Sequence, residues 1–152
     1  MDMTENQISK QIVLAAIEVH RTLGGPGLLE SVYEEALAWE LTSAGLLVER
    51  QLVVPINYKE QTLANPLRLD MLIEKKVVIE IKAVTTYNLI FETQARTYLR
   101  LLDLRLAMVI NFGEKYVRDG IHRVVNGLLE EYLPQRDKSS MEQRNAFKKD
   151  SL

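Results

Sequence analysis

The sequence predicts one mixed α/β domain, with a mostly antiparallel sheet flanked by helices and the element order α-α-β-β-β-α-β. Three observations support this fold class. Two helical stretches come first, three strand-like segments joined by short polar turns follow, and an amphipathic helix then leads into the most apolar segment of the chain. Short turns make consecutive strands antiparallel neighbours, whereas a helical crossover allows the next strand to run parallel. A chain of 152 residues is long enough to bury a core.

The first helix is expected over about residues 5–22, because Thr4 and Gln7 have the spacing of a capping box and apolar residues follow at helical intervals. The segment Gly24-Gly25-Pro26-Gly27 ends it. These glycines could cradle a phosphate at a helix start. Since Pro26 has no N–H group, a tight turn between helices is favoured. The second helix is expected over 29–44, with Gly45 as its stop signal.

The later elements follow from β-branched runs, turn residues and helical spacing. The predicted strands are 46–58, bent at Pro55; about 62–73, interrupted at Asn65-Pro66; 77–83; 104–112, in the interior; and 120–125. The predicted helices are 88–102 and a weak one over 126–133, ended by Pro134. We therefore expect one domain over residues 1–133 and a charged, flexible tail over 134–152.

The strands around Glu74-Lys75-Lys76 bring acidic residues together if those three residues form the turn. Ile73 then faces Val77, and the same register sets Asp70 opposite Glu80. Two carboxylates that close repel each other, so a cation or an ammonium group should lie between them. Lys82, two residues after Glu80, lies on the same face of its strand. Alternating charged and apolar residues are also typical of a strand with one solvated face and no chemistry.

Composition and charge narrow the function classes. Apolar residues make up 47% of the chain and charged residues 26%, as in soluble globular proteins. The absence of cysteine excludes disulfides, thiolate zinc sites and cysteine nucleophiles. A net charge of −2 argues against broad nonspecific nucleic-acid binding unless a local basic patch or a metal overcomes it.

The polar N-terminus and the lack of a long apolar run predict a cytoplasmic protein without membrane contact. His20 and His122 lack metal-ligand spacing, which favours structural or surface roles.

The arrangement of Asp70, Glu80 and Lys82 resembles the motif of the PD-(D/E)xK phosphodiesterase superfamily. The segment 27–33 reads GxxExxY, and the chain is similar to the small bacterial and archaeal GxxExxY proteins assigned to that superfamily. Further matching pieces are 20–24, 80–83, 94–98, 104–112 and 119–121, so that the resemblance covers about residues 8–125. Phe91 stands where family members often have His.

The resemblance implies a restriction-endonuclease-like core and metal-dependent cleavage of phosphodiester bonds in DNA or RNA. It implies Mg²⁺ or Mn²⁺ as cofactor, held by Asp70, Glu80 and Glu30. Lys82 would orient the attacking water and stabilise the transition state. The implied catalytic residues are Glu30, Asp70, Glu80, Lys82, Gln94 and Tyr98, and the implied substrate-binding residues are Tyr33 and Gln94.

Each of these positions also has a structural interpretation. Glu30 in the first turn of a helix complements the helix dipole. Tyr33 and Tyr98 could be core residues, Gln94 a rim residue, and Lys82 an exposed pairing partner. The alternative functions are a noncatalytic module that binds nucleic acid or a protein on the same fold, and a protein that assembles with a second copy of itself as a homodimer.

Overall fold

The computed structural model describes residues 2–128, which form two helical layers around a five-stranded sheet. The helices are α1 (Glu5–Thr22), α2 (Glu30–Ser43) and α3 (Ile90–Leu102). The strands are β1 (Val48–Val54), β2 (Asn57–Tyr58), β3 (Gln61–Thr62), β4 (Leu67–Ile73), β5 (Val77–Lys82), β6 (Leu106–Asn111) and β7 (Ile121–Val125), with a 3-10 turn at Val117–Gly120. No helix within these residues is long and apolar enough to cross a membrane.

The sheet has the strand order β1-β4-β5-β6-β7. Strands β5 and β6, joined by α3, are parallel, and every other neighbouring pair is antiparallel. This topology confirms the predicted mixed sheet and its crossover helix. The predicted start of α1 is also confirmed, because the Thr4 hydroxyl accepts a hydrogen bond from the Gln7 N–H and the Gln7 side chain accepts one from the Thr4 N–H.

The β4–β5 hairpin has the predicted register. Ile73 pairs with Val77, and Met71 pairs with Ile79. In the described part of the chain the paired residues end there, just before Asp70 and Glu80, whereas β5 continues to pair with β6 up to Lys82. The two acids therefore lie where β4 and β5 stop forming a regular ladder.

Two apolar clusters cover the two faces of the sheet. One packs α1 and α2 against side chains that include Met71 and Ile79. The other packs α3 against side chains that include Leu72 and Val78. Because side chains alternate along a strand, Glu80 and Lys82 follow Val78 toward the α3 side.

Two predicted strands proved to be divided. The segment predicted as one strand over 46–58 is split at Pro55 into β1 and β2, because proline has no N–H for the ladder. The segment predicted from residue 62 to 73 is split at Asn65-Pro66 into β3 and β4, and β3 pairs with β2 in a separate two-stranded sheet. Of the predicted helix over 126–133, residues 126–128 are bend and coil. Its remainder and the predicted tail over 134–152 lie outside the described residues.

Candidate active site

Asp70 and Glu80 each accept a hydrogen bond from a backbone N–H group of the neighbouring strand at the open end of the hairpin. The carboxylate of Glu80 accepts a bond from the backbone N–H of Asp70 (N···Oε1 3.2 Å). The carboxylate of Asp70 accepts a bond from the backbone N–H of Ile81 (N···Oδ2 2.7 Å). Side chains thus replace the carbonyl acceptors that a regular ladder would provide. These bonds hold both acids in place beside each other.

Burial makes this acid pair electrostatically unfavourable when both groups are charged. Only 7% of Glu80 is exposed. Burial raises the pKa of Glu80 to about 8, and the neighbouring Asp70 carboxylate adds to the shift. Burial likewise raises the pKa of Asp70. A positive charge placed between the two acids would relieve both effects.

Lys82 supplies one positive charge to this end of the hairpin. Its ammonium lies 4.5 Å from the centre of the Phe91 ring, within the range of a cation–π contact. Its charge lowers the pKa of Asp70 and of Glu80, in opposition to burial. Phe91 therefore presents an aromatic face to the lysine. Lys82 is thereby kept close to the acids. Burial affects the two acids more strongly than Lys82 does, so both pKa values remain raised.

Helix α3 brings Tyr98 within electrostatic reach of the acids. Tyr98 is half-buried, and its pKa is raised by burial and then by the charges of Glu80 and Asp70. Gln94, one turn earlier on the same helix, is exposed. Tyr98 thus lies within electrostatic reach of both acids and also packs against the α3 cluster. Gln94 lies at the rim.

The GxxExxY segment places Glu30 and Tyr33 differently. Glu30 is exposed in the first turn of α2 and lines a cavity that also contains Asp70. Tyr33 is fully buried and stacks on Phe112, with ring centres 4.6 Å apart. Its hydroxyl donates a hydrogen bond to the carbonyl of Gly25 (2.7 Å) and accepts one from the N–H of Leu28 (3.2 Å). These contacts fit a structural role for Tyr33 in holding the loop between α1 and α2.

Sequence reasoning missed two polar residues beside Asp70. Glu34 is 7% exposed and accepts hydrogen bonds from the guanidinium of Arg50 (2.8 Å) and the amide of Gln51 (2.6 Å). The same Gln51 amide lies 3.5 Å from Asp70 Oδ1. Gln51 adopts a left-handed conformation (φ 50°) within β1, which is uncommon for a residue other than glycine. Such backbone strain clusters at functional sites.

A cavity opens beside Asp70, and we call it the acidic cavity; Glu80 and Lys82 are not among its lining residues. Its volume is about 610 Å³. It is lined by Leu28, Leu29, Glu30, Ser31, Glu34, Gln51, Asp70, Ile81 and Ala83. It opens between the start of α2, the middle of β1 and β4, and the end of β5. A cavity of this size can hold a small ligand or one unit of a polymer.

The acid pair matches the donor chemistry of a hard divalent cation. Within residues 2–128 no group of three or more His, Cys, Asp or Glu side chains is placed to hold a metal ion. Mg²⁺ commonly uses one or two carboxylates, several waters and substrate phosphates instead of a complete protein cage. Two adjacent carboxylates with raised pKa values, one buried and one half-buried, provide such donors. The residues present therefore fit a cation held by Asp70 and Glu80 together with water.

Comparison with known families agrees with the fold. The sequence profile of the PD-(D/E)XK nuclease superfamily matches residues 6–124. The chain belongs to this nuclease superfamily. Its restriction-endonuclease-like fold is confirmed with it, and membership implies a nuclease-like activity with nucleic acid as the substrate. No curated protein and no solved structure matches the chain. Membership of the GxxExxY subfamily stays a prediction.

Proposed function

We propose that this chain is a divalent-metal-dependent nuclease that hydrolyses phosphodiester bonds, with Asp70 and Glu80 holding Mg²⁺ or Mn²⁺ and Lys82 positioning the attacking water. One observation carries the proposal. Two carboxylates converge from neighbouring strands where the ladder ends, and an ammonium group acts on both. An acid pair and a lysine in this arrangement serve no packing purpose that apolar residues would not serve better.

The chain's own residues have distinct roles in this proposal. When bound, the divalent cation would neutralise charge on the scissile phosphate. The backbone N–H groups of Asp70 and Ile81 fix the carboxylate orientations. Lys82, held over the Phe91 ring, is aimed at the negative charge that develops during the reaction.

Three further residues would act from α2 and α3. Glu30 would act as an outer ligand from the rim of the acidic cavity. Tyr98 would donate a hydrogen bond to the phosphate or the water, and Gln94 would contact the substrate from the rim of α3. Tyr33 would contribute through the loop that its hydroxyl holds.

A cleavage assay tests the proposal. The protein is incubated with single- and double-stranded DNA and RNA in Mg²⁺, in Mn²⁺ and in EDTA. We expect metal-dependent cleavage that falls about a thousandfold in Glu80→Gln and in Lys82→Ala, because each change removes a charge aimed at the reacting phosphate. Lys75→Ala and Glu60→Gln, on exposed turns of neighbouring hairpins, are the matched controls and should retain activity. Cleavage that is unaffected by Glu80→Gln and Lys82→Ala would overturn the proposal.

The alternative is a noncatalytic nucleic-acid- or protein-binding module on the same fold. It is favoured by the absence of a three-residue metal cluster within residues 2–128 and by the acidic net charge. Metal binding without cleavage of any of the four substrates would support this alternative. Assembly as a homodimer stays a prediction that light scattering tests.

A further inference from the structure

A second cavity, of about 630 Å³, opens beside the C-terminal end of α1. We call it the basic cavity. One wall is formed by α1 and the first glycines of the loop that follows, and the other by residues 115–119 before and within the 3-10 turn. The lining residues are Ile17, His20, Arg21, Gly24, Gly25, Lys115, Tyr116, Val117, Arg118 and Asp119. None of them belongs to the site described above.

The chemistry of this cavity combines positive charge with an exposed aromatic ring. Arg21, Lys115 and Arg118 bring three positive charges to its lining, against one negative charge from Asp119. The guanidinium of Arg21 is also paired with the carboxylate of Glu18 (2.6 Å), so Lys115 and Arg118 supply most of the positive charge. Tyr116 is 62% exposed, and the ammonium of Lys115 lies 5.4 Å from its ring centre. This concentration of positive charge stands out in a chain whose net charge is −2. An open aromatic face beside cations suits a planar base attached to a phosphate.

The two cavities lie on either side of the loop between α1 and α2. Gly25 lines the basic cavity, Leu28 lines the acidic cavity, and the Tyr33 hydroxyl is hydrogen-bonded to the backbone of both. Gly24 and Gly25 have positive φ angles, and a Cβ atom built on either would meet no described atom within 4 Å. The surface over this part of the loop is therefore open, so an extended chain could cross it from one cavity to the other.

We propose that the basic cavity binds an unpaired nucleotide of a single-stranded nucleic-acid segment whose chain continues over the glycine loop into the acidic cavity. The base would stack on Tyr116, and Arg21, Lys115 and Arg118 would contact the adjacent phosphates. The segment must be single-stranded because a paired base cannot offer its face to a side chain. The inference rests on the proposed function, and it specifies the substrate as nucleic acid with an unpaired segment beside the scissile bond.

Fluorescence anisotropy with labelled oligodeoxythymidine and oligouridine, compared with a labelled DNA duplex, tests this site. EDTA is present throughout, so that binding is measured without cleavage. Tyr116→Ala should weaken binding of the single strands about tenfold, because one stacked base is lost. Arg118→Glu should weaken it and should also reduce the steepness of its salt dependence, because a phosphate contact is lost.

The chain offers a matched control in the β2–β3 hairpin. Tyr58 is 60% exposed, and the ammonium of Lys59 lies 5.5 Å from its ring. Tyr58→Ala removes the same kind of side chain in the same local setting, away from both cavities, and should leave binding unchanged. Equal effects of Tyr58→Ala and Tyr116→Ala would overturn the proposal. So would duplex binding as tight as single-strand binding.

The result can be separated from the cleavage assay. If the protein cleaves nucleic acid but its binding is insensitive to Tyr116→Ala and Arg118→Glu, the basic cavity is not the strand site and the nuclease proposal stands. If Tyr116-dependent binding is found without cleavage in any metal, the strand site stands and the nuclease proposal falls.

Discussion

The acidic and basic cavities have similar volumes but differ in how firmly their polar side chains are held. In the acidic cavity the polar groups are held by strands and a helix. Glu34 is buried, and Glu34 and Asp70 are each fixed by a hydrogen bond shorter than 3 Å. In the basic cavity, long side chains such as those of Lys115 and Tyr116 project from a loop into solvent. The acidic cavity suits catalysis, because its polar groups are positioned before a ligand binds. The basic cavity suits binding, because its side chains can adapt to a ligand.

The largest expected effect is on the pH dependence of stability, and it comes from Glu80, which is hydrogen-bonded to Asp70 of the acidic cavity. The pKa of Glu80 is raised from 4.5 to about 8 in the folded protein. The stability that this group contributes is therefore complete below about pH 4.5 and is lost as the pH rises through 8. Glu80→Gln carries no such loss, so at pH 9 in EDTA it should be more stable than the wild type by a few kcal/mol. Urea unfolding from pH 5 to 9 measures the difference.

Two controls sharpen this test. Mg²⁺ should stabilise the wild type at pH 8 and leave Glu80→Gln nearly unchanged, because the cation compensates the charged acid pair. Lys115→Ala in the basic cavity should shift stability by less than about 0.5 kcal/mol at every pH, since the residue is exposed. If the free energy of unfolding depends on pH in the same way in the wild type and in Glu80→Gln, the pKa of Glu80 is not raised in the folded protein.

Substitutions of Gln51 test whether catalysis depends on the positions of the polar side chains in the acidic cavity. Its amide bridges Glu34 and Asp70, so Gln51→Ala should lower kcat about tenfold and leave the affinity for single strands unchanged. Gln51→Gly removes the same side chain but suits the left-handed backbone. It should show the same loss of kcat and be about 1 kcal/mol more stable than Gln51→Ala. An unchanged kcat in both variants would make Gln51 a rim residue.

The smallest expected effect concerns the loop that separates the cavities. Tyr33→Phe removes the hydroxyl that links Gly25 to Leu28, and it should reduce the free energy of unfolding by about 1 kcal/mol. Because this loop borders both cavities, we also expect a modest loss in both single-strand affinity and cleavage rate. A loss of stability alone, with binding and cleavage intact, would show that the cavities do not depend on the loop's position. Chemical denaturation and the two assays described above provide the measurements.

Local signals made much of the fold predictable. The capping box at Thr4 marks the start of α1, because its two bonds join residues only three positions apart. The three-residue turn after Ile73 sets the hairpin register and brings Asp70 beside Glu80. The sequence did not show that the long predicted strands are divided at Pro55 and at Asn65-Pro66. A proline can bend a strand or end it, and the pairing of neighbouring segments decides which.

The candidate site was only partly predictable for the same reason. Asp70, Glu80 and Lys82 belong to one hairpin, and their proximity follows from strand geometry. Glu34 and Gln51 are separated from Asp70 by 36 and 19 positions. Nothing in their local sequence distinguishes them from the other polar residues of the chain. The left-handed backbone conformation of Gln51 within a strand marks it as unusual. The sequence does not reveal this conformation, because glutamine, unlike glycine, is not typical of it.

By itself, the sequence determined the element order, the hairpin that joins the two acids, and the position of the lysine beside them. These features depend on interactions over a few residues, where turn length and side-chain alternation leave little freedom. Only the tertiary structure decided that Tyr33 is a buried support, that Glu34 and Gln51 accompany Asp70, and that a basic cavity lies across the glycine loop. Those arrangements depend on how distant helices, strands and loops pack together, and packing is a property of the whole chain.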